Sequence, residues 1–356
     1  MAYSRFGVAD TTPASPPDAT LTSDLEDTIS ALSWSPAANH LAAASWDGKV
    51  RIFEVAPSGS ANGVAMLKAD GPLLSCDWSK DGKMVLAGGA DKKPHLLDCQ
   101  SGQQITVGSH DAPIRSVRFV DLPNTSANII ATGSWDKTIK FWDIRQESPA
   151  VTLQCHDRVY AMDSKAQMLV AGTADIKMHL VDLAMPFRFS RTLDSPLKYQ
   201  TRSVTAFPDG KGWGTVSIEG RCGMNAVDEK DPTGIDFTFR CHRGSPDAKR
   251  VTPVYAVNDV QFHPVHHVSF STVGSDGTYN FWDRVAHARL RAYPNGGGSV
   301  GGSITSSAFN KDGDMFAYAV GYDWNQGHSK NTPQYPNKLM LHSVTEHDVT
   351  PKSKKK

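Results

Sequence analysis

An acidic residue set in a turn recurs seven times along this 356-residue chain, and its spacing constrains the fold more than any other feature. The acids are Asp47 (SWDGKVRIFEV), Asp91 (GADKKPHLLDC), Asp136 (SWDKTIKFWD), Asp175 (TADIKMHLVDL), Glu219 (IEGRCGMNAVD), Asp276 (SDGTYNFWD) and Asp323 (GYDW). By subtraction the steps are 44, 45, 39, 44, 57 and 47 residues. Each acid follows an apolar run that reads as a first strand: Ser30 to Trp34, Leu73 to Trp78, Ile114 to Phe119, Val159 to Asp163, Ser203 to Phe207, Val257 to Phe262 and Ile304 to Phe309. Turn signals such as Ser35-Pro36, Asp81-Gly82, Pro208-Asp209-Gly210 and Asp312-Gly313 separate these runs from the next strand. A unit of some 40–45 residues cannot bury its faces alone and must stack on copies of itself. The period therefore predicts an all-β fold, a seven-bladed β-propeller over residues 18–346, rather than two ordinary domains. Residues 1–17, polar and rich in proline, read as a flexible N-terminal segment, and 347–356 as a basic C-terminal tail.

The fullest copy is ATGSWDKTIKFWDIR, from Ala131 to Arg145. A short strand runs into Ser134 and Asp136, a tight turn follows, and Thr138 to Trp142 alternate as a second strand should. Closed by Trp142-Asp143, this stretch resembles the WD-repeat signature. In blades of that family a histidine, a Ser/Thr, the turn aspartate and the tryptophan hydrogen-bond in series, and the resemblance implies His110, Ser134, Asp136 and Trp142 as that tetrad. Its role is structural, because a buried carboxylate and a buried indole N–H each cost free energy unless paired. Asp18 to Ser23 (DATLTS) reads as a lone strand without a repeat of its own. It is expected to complete the last blade and close the ring, removing an open edge.

Composition narrows the function classes. Lys+Arg and Asp+Glu both number 37, so no global field draws the chain to nucleic acid or an anionic membrane, and any such partner must meet a local patch. Five scattered cysteines without a CxxC pair suggest neither a disulfide framework nor a zinc site, a pattern that fits a reducing compartment. No apolar run approaches a membrane span and no signal-peptide pattern opens the chain. GxSxG, HExxH and P-loop motifs are absent. The histidines of FHPVHH (His263, His266, His267) read as a hairpin between strands of the sixth blade rather than as metal ligands. The expectation is a non-enzyme with no cofactor and no metal.

The residue before each turn acid projects on the face where these turns meet the loops leading into first strands. Round the ring these residues are Trp46, Ala90, Trp135, Ala174, Ile218, Ser275 and Tyr322. Large apolar groups gathered on one face point to an interface, the alternative being that each packs on its own loop. Two loops on the same face are basic: Leu197 to Arg202 (LKYQTR) and Arg240 to Arg243 (RCHR). Together they suggest a groove for an extended peptide bearing acidic and apolar residues, the alternative being that the arginines pair with local acids such as Glu219 and Asp236. A polar stretch from Glu229 to Pro253 reads as an insertion, and a long excursion follows Asp323 before a closing strand from Leu339 to Val344. The terminal lysines (Lys352, Lys354, Lys355, Lys356) read as a solvated tail, with nuclear import as the functional alternative.

SPLKYQTR, SIEGR, FRCHR, YAVNDVQFHPVH and VGSDGTYNFWD resemble the mRNA-export WD-repeat proteins of the nuclear pore, the Rae/Gle family, from about Asp27 onward. LKYQTR, IEGR and CHR are shared with the sibling Bub-type mitotic checkpoint propellers. HDAPIRSV, GSWDKTIKFWD and GYDWNQGH look like the export branch. The resemblance implies a scaffold that holds the GLEBS segment of an FG nucleoporin, assists mRNA export, and resides in the nucleus and at the nuclear pore complex while shuttling to the cytoplasm. Spindle roles, and RNA contact through a composite surface, also follow from it. Implied contacts are Trp46, Trp135 and Arg243, with Lys198, Arg202 and Glu219; the face reading adds Tyr322. A different class is offered by Trp142-Asp143-Ile144-Arg145, which matches the WDxR box of substrate receptors of cullin-RING ubiquitin ligases.

Overall fold

In the computed structural model, which describes residues 17–21, 25–123, 128–228, 235–294, 301–332 and 335–350, seven four-stranded antiparallel sheets follow one another along the chain. Their innermost strands are β2 (Ile29–Trp34), β6 (Leu73–Trp78), β10 (Ile114–Val120), β14 (Val159–Lys165), β18 (Thr201–Ala206), β22 (Val257–Phe262) and β26 (Ser303–Phe309). Blades one to six use four consecutive strands each. Blade seven uses β26, β27 (Met315–Gly321) and β28 (Lys338–Ser343), then takes β1 (Ala19–Leu21) as its outer strand. The ring closes through Ala19↔Leu341, Thr20↔Met340 and Leu21↔Leu339. Asp18 reinforces the closure: its buried carboxylate accepts bonds from His342 Nδ1 at 2.7 Å, Tyr318 Oη at 2.6 Å and Tyr279 Oη at 3.1 Å. The expected closing strand is therefore present, its last two residues lying outside the described ones.

The core is divided. Each of seven hydrophobic clusters lies between neighbouring blades, for example Val50, Ile52 and Leu67 of blade one against Cys76, Trp78 and Val85 of blade two. Blade seven meets blade one through Ala317, Ala319 and Leu339 against Leu32, Leu41 and Phe53. Polar staples supplement the apolar contacts at alternate interfaces. Asp77 accepts the N–H of Phe119, Asp163 that of Ala206 and Asp259 that of Ser307, each at 2.8–3.0 Å from one inner strand to the next. Asp163 also receives Arg118 Nε at 2.8 Å.

All seven turn acids are followed by a residue at positive φ: Gly48, Lys92, Lys137, Ile176, Gly220, Gly277 and Trp324, between 62° and 79°. The turn demands this conformation, which glycine adopts without strain and tryptophan does not. Six of the turns are tied to the loop leading into their own blade, as in Trp46 N to Thr28 O (3.0 Å), Trp135 N to Pro113 O (3.0 Å) and Ile218 N to Gln200 O (3.2 Å). Turns and leading loops thus share one face.

The tetrad of blade three needs one correction. Trp142 Nε1 donates to Thr132 Oγ1 at 2.8 Å, Thr132 bonds His110 Nε2 at 2.7 Å, and His110 Nδ1 bonds Asp136 at 2.7 Å. The hydroxyl in the relay is that of Thr132, not of Ser134. Thr132 stands opposite Lys140, one pleat repeat from Trp142, whereas Ser134 lies two residues further along the strand. Ser134 Oγ instead accepts the N–H of Asp136 at 3.0 Å and donates to the Ala112 and Pro113 carbonyls. Blade six repeats the relay with Trp282, Thr272, His242 and Asp276, every step at 2.9 Å. His242, expected among the basic partner-facing residues, is therefore buried structure.

Burial opposes ionisation of Asp136, but bonds from His110 and Thr138 outweigh it, and the carboxyl lies well below its usual range. A carboxyl held low in the folded chain and near ~3.9 in the unfolded one contributes stability that is complete above that value and is lost as pH falls toward the folded one. Asp136→Asn is expected to flatten the decline of the urea midpoint between about pH 4 and pH 2, measured against the parent chain over the same series.

Two sequence boundaries shift. The stretch 229–253 contains β21 (Phe237–Arg240), the outer strand of blade five, so the extra length lies in the link beyond it, while 229–234 fall outside the described residues. At the other end α1 (Glu346–Val349) docks on the propeller, with Asp348 and Val349 buried and Tyr293 Oη donating to Asp348 at 2.5 Å. The lysine-bearing residues 351–356 lie outside the described residues.

Candidate functional site

The face carrying the turn acids opens at its centre into a pit of about 430 Å³. Four of the expected contact residues line it: Trp46, Trp135, Arg202 and Tyr322. They come from blades one, three, five and seven, and the position before the turn acid gathers three of them while Arg202 enters from an inner strand. Lys198, Glu219 and Arg243 are not part of the lining.

Trp324 also lines the pit and was not singled out by sequence. Its ring lies 4.8 Å from that of Trp46 and 5.7 Å from that of Tyr322, centroid to centroid. It holds φ at 62°, at the position glycine occupies in blades one, five and six. Among the described residues its buried indole Nε1 has no hydrogen-bond partner. A strained backbone and an orphaned donor in one residue each cost on the order of 1–3 kcal/mol, and such costs concentrate at functional sites. A tryptophan directly after the turn acid was the available signal.

Tyr322 departs from expectation. Only 2% exposed, it lies beneath Trp324, with its hydroxyl donating to Gly327 O at 2.7 Å and accepting Gln326 N–H at 3.2 Å. It therefore shapes the 322–327 loop rather than presenting an aromatic surface. Trp135, at 37% exposed, does present one, and Trp46 is half-buried.

From the pit an apolar track runs outward over blade five. Ile218 is bonded beside Gln200, and Tyr199 and Ile218 are exposed. Gly220 approaches Val254 so closely that a Cβ added there would stand 3.0 Å from Val254 Cγ1. Val254, also exposed, forms a bridge with Arg243. Lys198 is exposed beside the track. Arg243 donates from Nη2 to Glu219 O at 3.0 Å and from Nε to Gly220 O at 3.5 Å, so it fastens the turn through backbone carbonyls. The carboxylate of Glu219 lies 3.6 Å from Arg221 instead, and that of Asp236 accepts the N–H of Ala226. Arg202 points inward because alternate residues of β18 face the channel; Nη2 donates to Asn258 Oδ1 at 2.9 Å and to Asp323 O at 3.3 Å.

His263 has a structural task. Nε2 donates to Gly313 O at 3.0 Å, and Nδ1 accepts the N–H of His266 at 2.9 Å. Burial pushes its imidazole down to about 4, so the ring is neutral near pH 7.

The WD domain, G-beta repeat family model matches residues 16–54, 63–97 and 102–143. Among curated proteins, the WD40 repeat protein poxJ of Penicillium oxalicum is 48% identical over 337 residues, covering 94% of this chain and 96% of its own. The mRNA export factor GLE2 of Chaetomium thermophilum is 48% identical over 339 residues, 94% of this chain and 92% of that protein. The Poly(A)+ RNA export protein of Schizosaccharomyces pombe is 46% identical over 358 residues, 99% of both. The chain belongs to the Rae/Gle family of WD-repeat proteins. As a Rae/Gle propeller it carries its aromatic pit on the turn-acid face. No described helix is long and apolar enough to cross a membrane.

Proposed function

We propose that this chain is a non-enzymatic platform that supports nuclear export of mRNA at the nuclear pore complex by holding the GLEBS segment of an FG nucleoporin. Membership of the Rae/Gle family supports the export role, since relatives over nearly the whole length are named mRNA export factor GLE2 and Poly(A)+ RNA export protein. The observation that carries the docking role is the pit with its outward track. Trp46, Trp135 and Trp324 offer apolar anchors, while Lys198 and Arg202 supply positive charge for acidic residues of an extended segment. Arg243 and Glu219 hold the track's turn in shape, and Tyr322 supports Trp324. Any RNA contact arises on the composite surface with the nucleoporin segment and is salt-sensitive. The protein is accordingly placed in the nucleus and at the nuclear envelope, shuttling to the cytoplasm.

Calorimetric titration of the folded chain with a GLEBS peptide is expected to give tight one-to-one binding. A folded chain that takes up no such peptide would overturn the docking role. Preference for a peptide from a checkpoint kinase partner over the nucleoporin one would move the chain to the Bub-type branch. In the ligase reading, Arg145 is the residue at stake. It is exposed, and its Nε donates to Asp143 Oδ1 at 2.8 Å, away from the pit. Arg145→Ala is expected to leave GLEBS affinity within twofold of the parent; loss of adaptor binding in that variant would favour a ubiquitin-ligase receptor.

A further inference from the structure

The channel along the propeller axis is drawn in around two guanidiniums. Arg115 on β10 and Arg202 on β18 line both the pit and a second cavity, of about 520 Å³, that opens at the opposite end. They reach the axis from blades three and five. Burial, and then repulsion from Arg202, hold Arg115 down to about 10. Burial lowers Arg202 as well, against the attraction of Asp323.

The carboxylates that could neutralise them are engaged elsewhere. Asp323 accepts bonds from Ser275 Oγ, from Asn258 Nδ2 at 3.2 Å and from Asn325 N at 3.3 Å. Asp163 holds Arg118 at 2.8 Å. Asp259 receives Ser203 Oγ at 2.8 Å and the N–H groups of Val260 and Ser307. Among the described residues, no carboxylate stands at ion-pair distance from Arg115 or Arg202. Arg115 makes one bond, from Nη1 to Leu74 O at 3.2 Å, which leaves Nε and Nη2 unused. Arg202 commits Nε and Nη2, which leaves Nη1. Arg158 stands over Tyr160 at the mouth, 5.5 Å from the ring centroid.

Two partly buried cations without a counter-ion raise the free energy of the empty channel. A ligand with several anionic oxygens relieves this by accepting from both forks at once. We propose that the axial channel is a binding site for a small phosphate-bearing anion, held between Arg115 and Arg202. A phosphoryl group suits the site better than a carboxylate, because its tetrahedral oxygens can meet guanidinium forks that arrive from two separate blades, whereas one planar carboxylate is matched to a single fork. The pit falls within the ~300–1,000 Å³ of ordinary small-ligand sites. The site lies below the aromatic rim and needs none of Trp46, Trp135 or Trp324; it shares Arg202 with the docking role, and Arg115, which that role does not use, separates the two.

The test is calorimetric titration of the full chain with inorganic phosphate, then pyrophosphate and citrate, at constant ionic strength balanced with chloride. Saturable one-site binding of phosphate or pyrophosphate is expected, weakened at least tenfold by Arg115→Gln and by Arg202→Gln and unchanged by Arg145→Gln. The thermal midpoint in phosphate-free buffer should not fall in Arg115→Gln, since the change removes a repulsion, while the phosphate-dependent rise in midpoint should disappear. No saturable binding by the folded parent, or binding unaltered in both channel variants, would overturn the site. Citrate binding more tightly than pyrophosphate would overturn the phosphoryl assignment.

Discussion

Asp163→Ala is expected to lower the free energy of unfolding by about 3–5 kcal/mol, read as a fall in urea midpoint at pH 7. The carboxylate on β14 of blade four performs two tasks, one toward blade three and one toward blade five. It holds Arg118 at 2.8 Å, and it accepts the N–H of Ala206 at 2.8 Å on the neighbouring inner strand. Burial, the largest single influence, favours its neutral form, but Arg118, Lys165 and the Ala206 N–H together outweigh burial and hold the carboxyl below its ordinary range. Removing it strands a mostly buried guanidinium and an inner-strand N–H together, and the guanidinium dominates the loss. Asp163→Asn retains an acceptor and should cost less. The double change Asp163→Leu with Arg118→Met should recover much of the deficit, because a well-packed apolar pair often equals a buried ion pair. A double variant as unstable as Asp163→Ala would refute this account.

Trp324→Gly is expected to reduce GLEBS affinity by about 2 kcal/mol or more, some thirtyfold, while the fold loses little stability. Glycine relieves the strain at φ 62° and removes a buried indole N–H that lacks a partner, offsetting the lost contact with Trp46. Trp46→Ala should weaken binding by a similar amount with its backbone unstrained. The two changes together should cost less than their sum, since the rings pack on each other. Retained affinity in both folded variants would remove the pit from the docking surface.

The count of blades was legible because its signal is local: an acid, then a residue able to hold positive φ, recurring at blade spacing. Inner strands were legible too, since each sets buried residues among partly exposed ones that line the channel, as in β2 and β18, and is followed by a turn signal. Outer strands were harder. β21, with alternate residues exposed, reads as loop and was merged into the 229–253 stretch. The choice between Thr132 and Ser134 turned on register, which two like residues on one strand face cannot reveal. The aromatic face was found through the residue before each acid, but exposure was not. Tyr322 is buried between Trp324, two positions on, and Tyr335, with ring centroids 5.7 Å and 5.1 Å away. Arg243 was expected to meet a carboxylate and grips two carbonyls, because spacing says nothing about where a guanidinium fork points.

The closing pairing of Ala19–Leu21 with Lys338–Ser343 sets a schedule for biosynthesis. On the ribosome the strand made first is the last to be used, since its partner emerges more than 300 residues later. At ~5–20 residues per second the nascent chain waits roughly 16–64 s with Leu21 uncovered and the first blade lacking its neighbour on one side. During that interval the unfinished propeller offers an unpaired edge to any extended segment nearby, so chaperone demand should persist until the last blade is made.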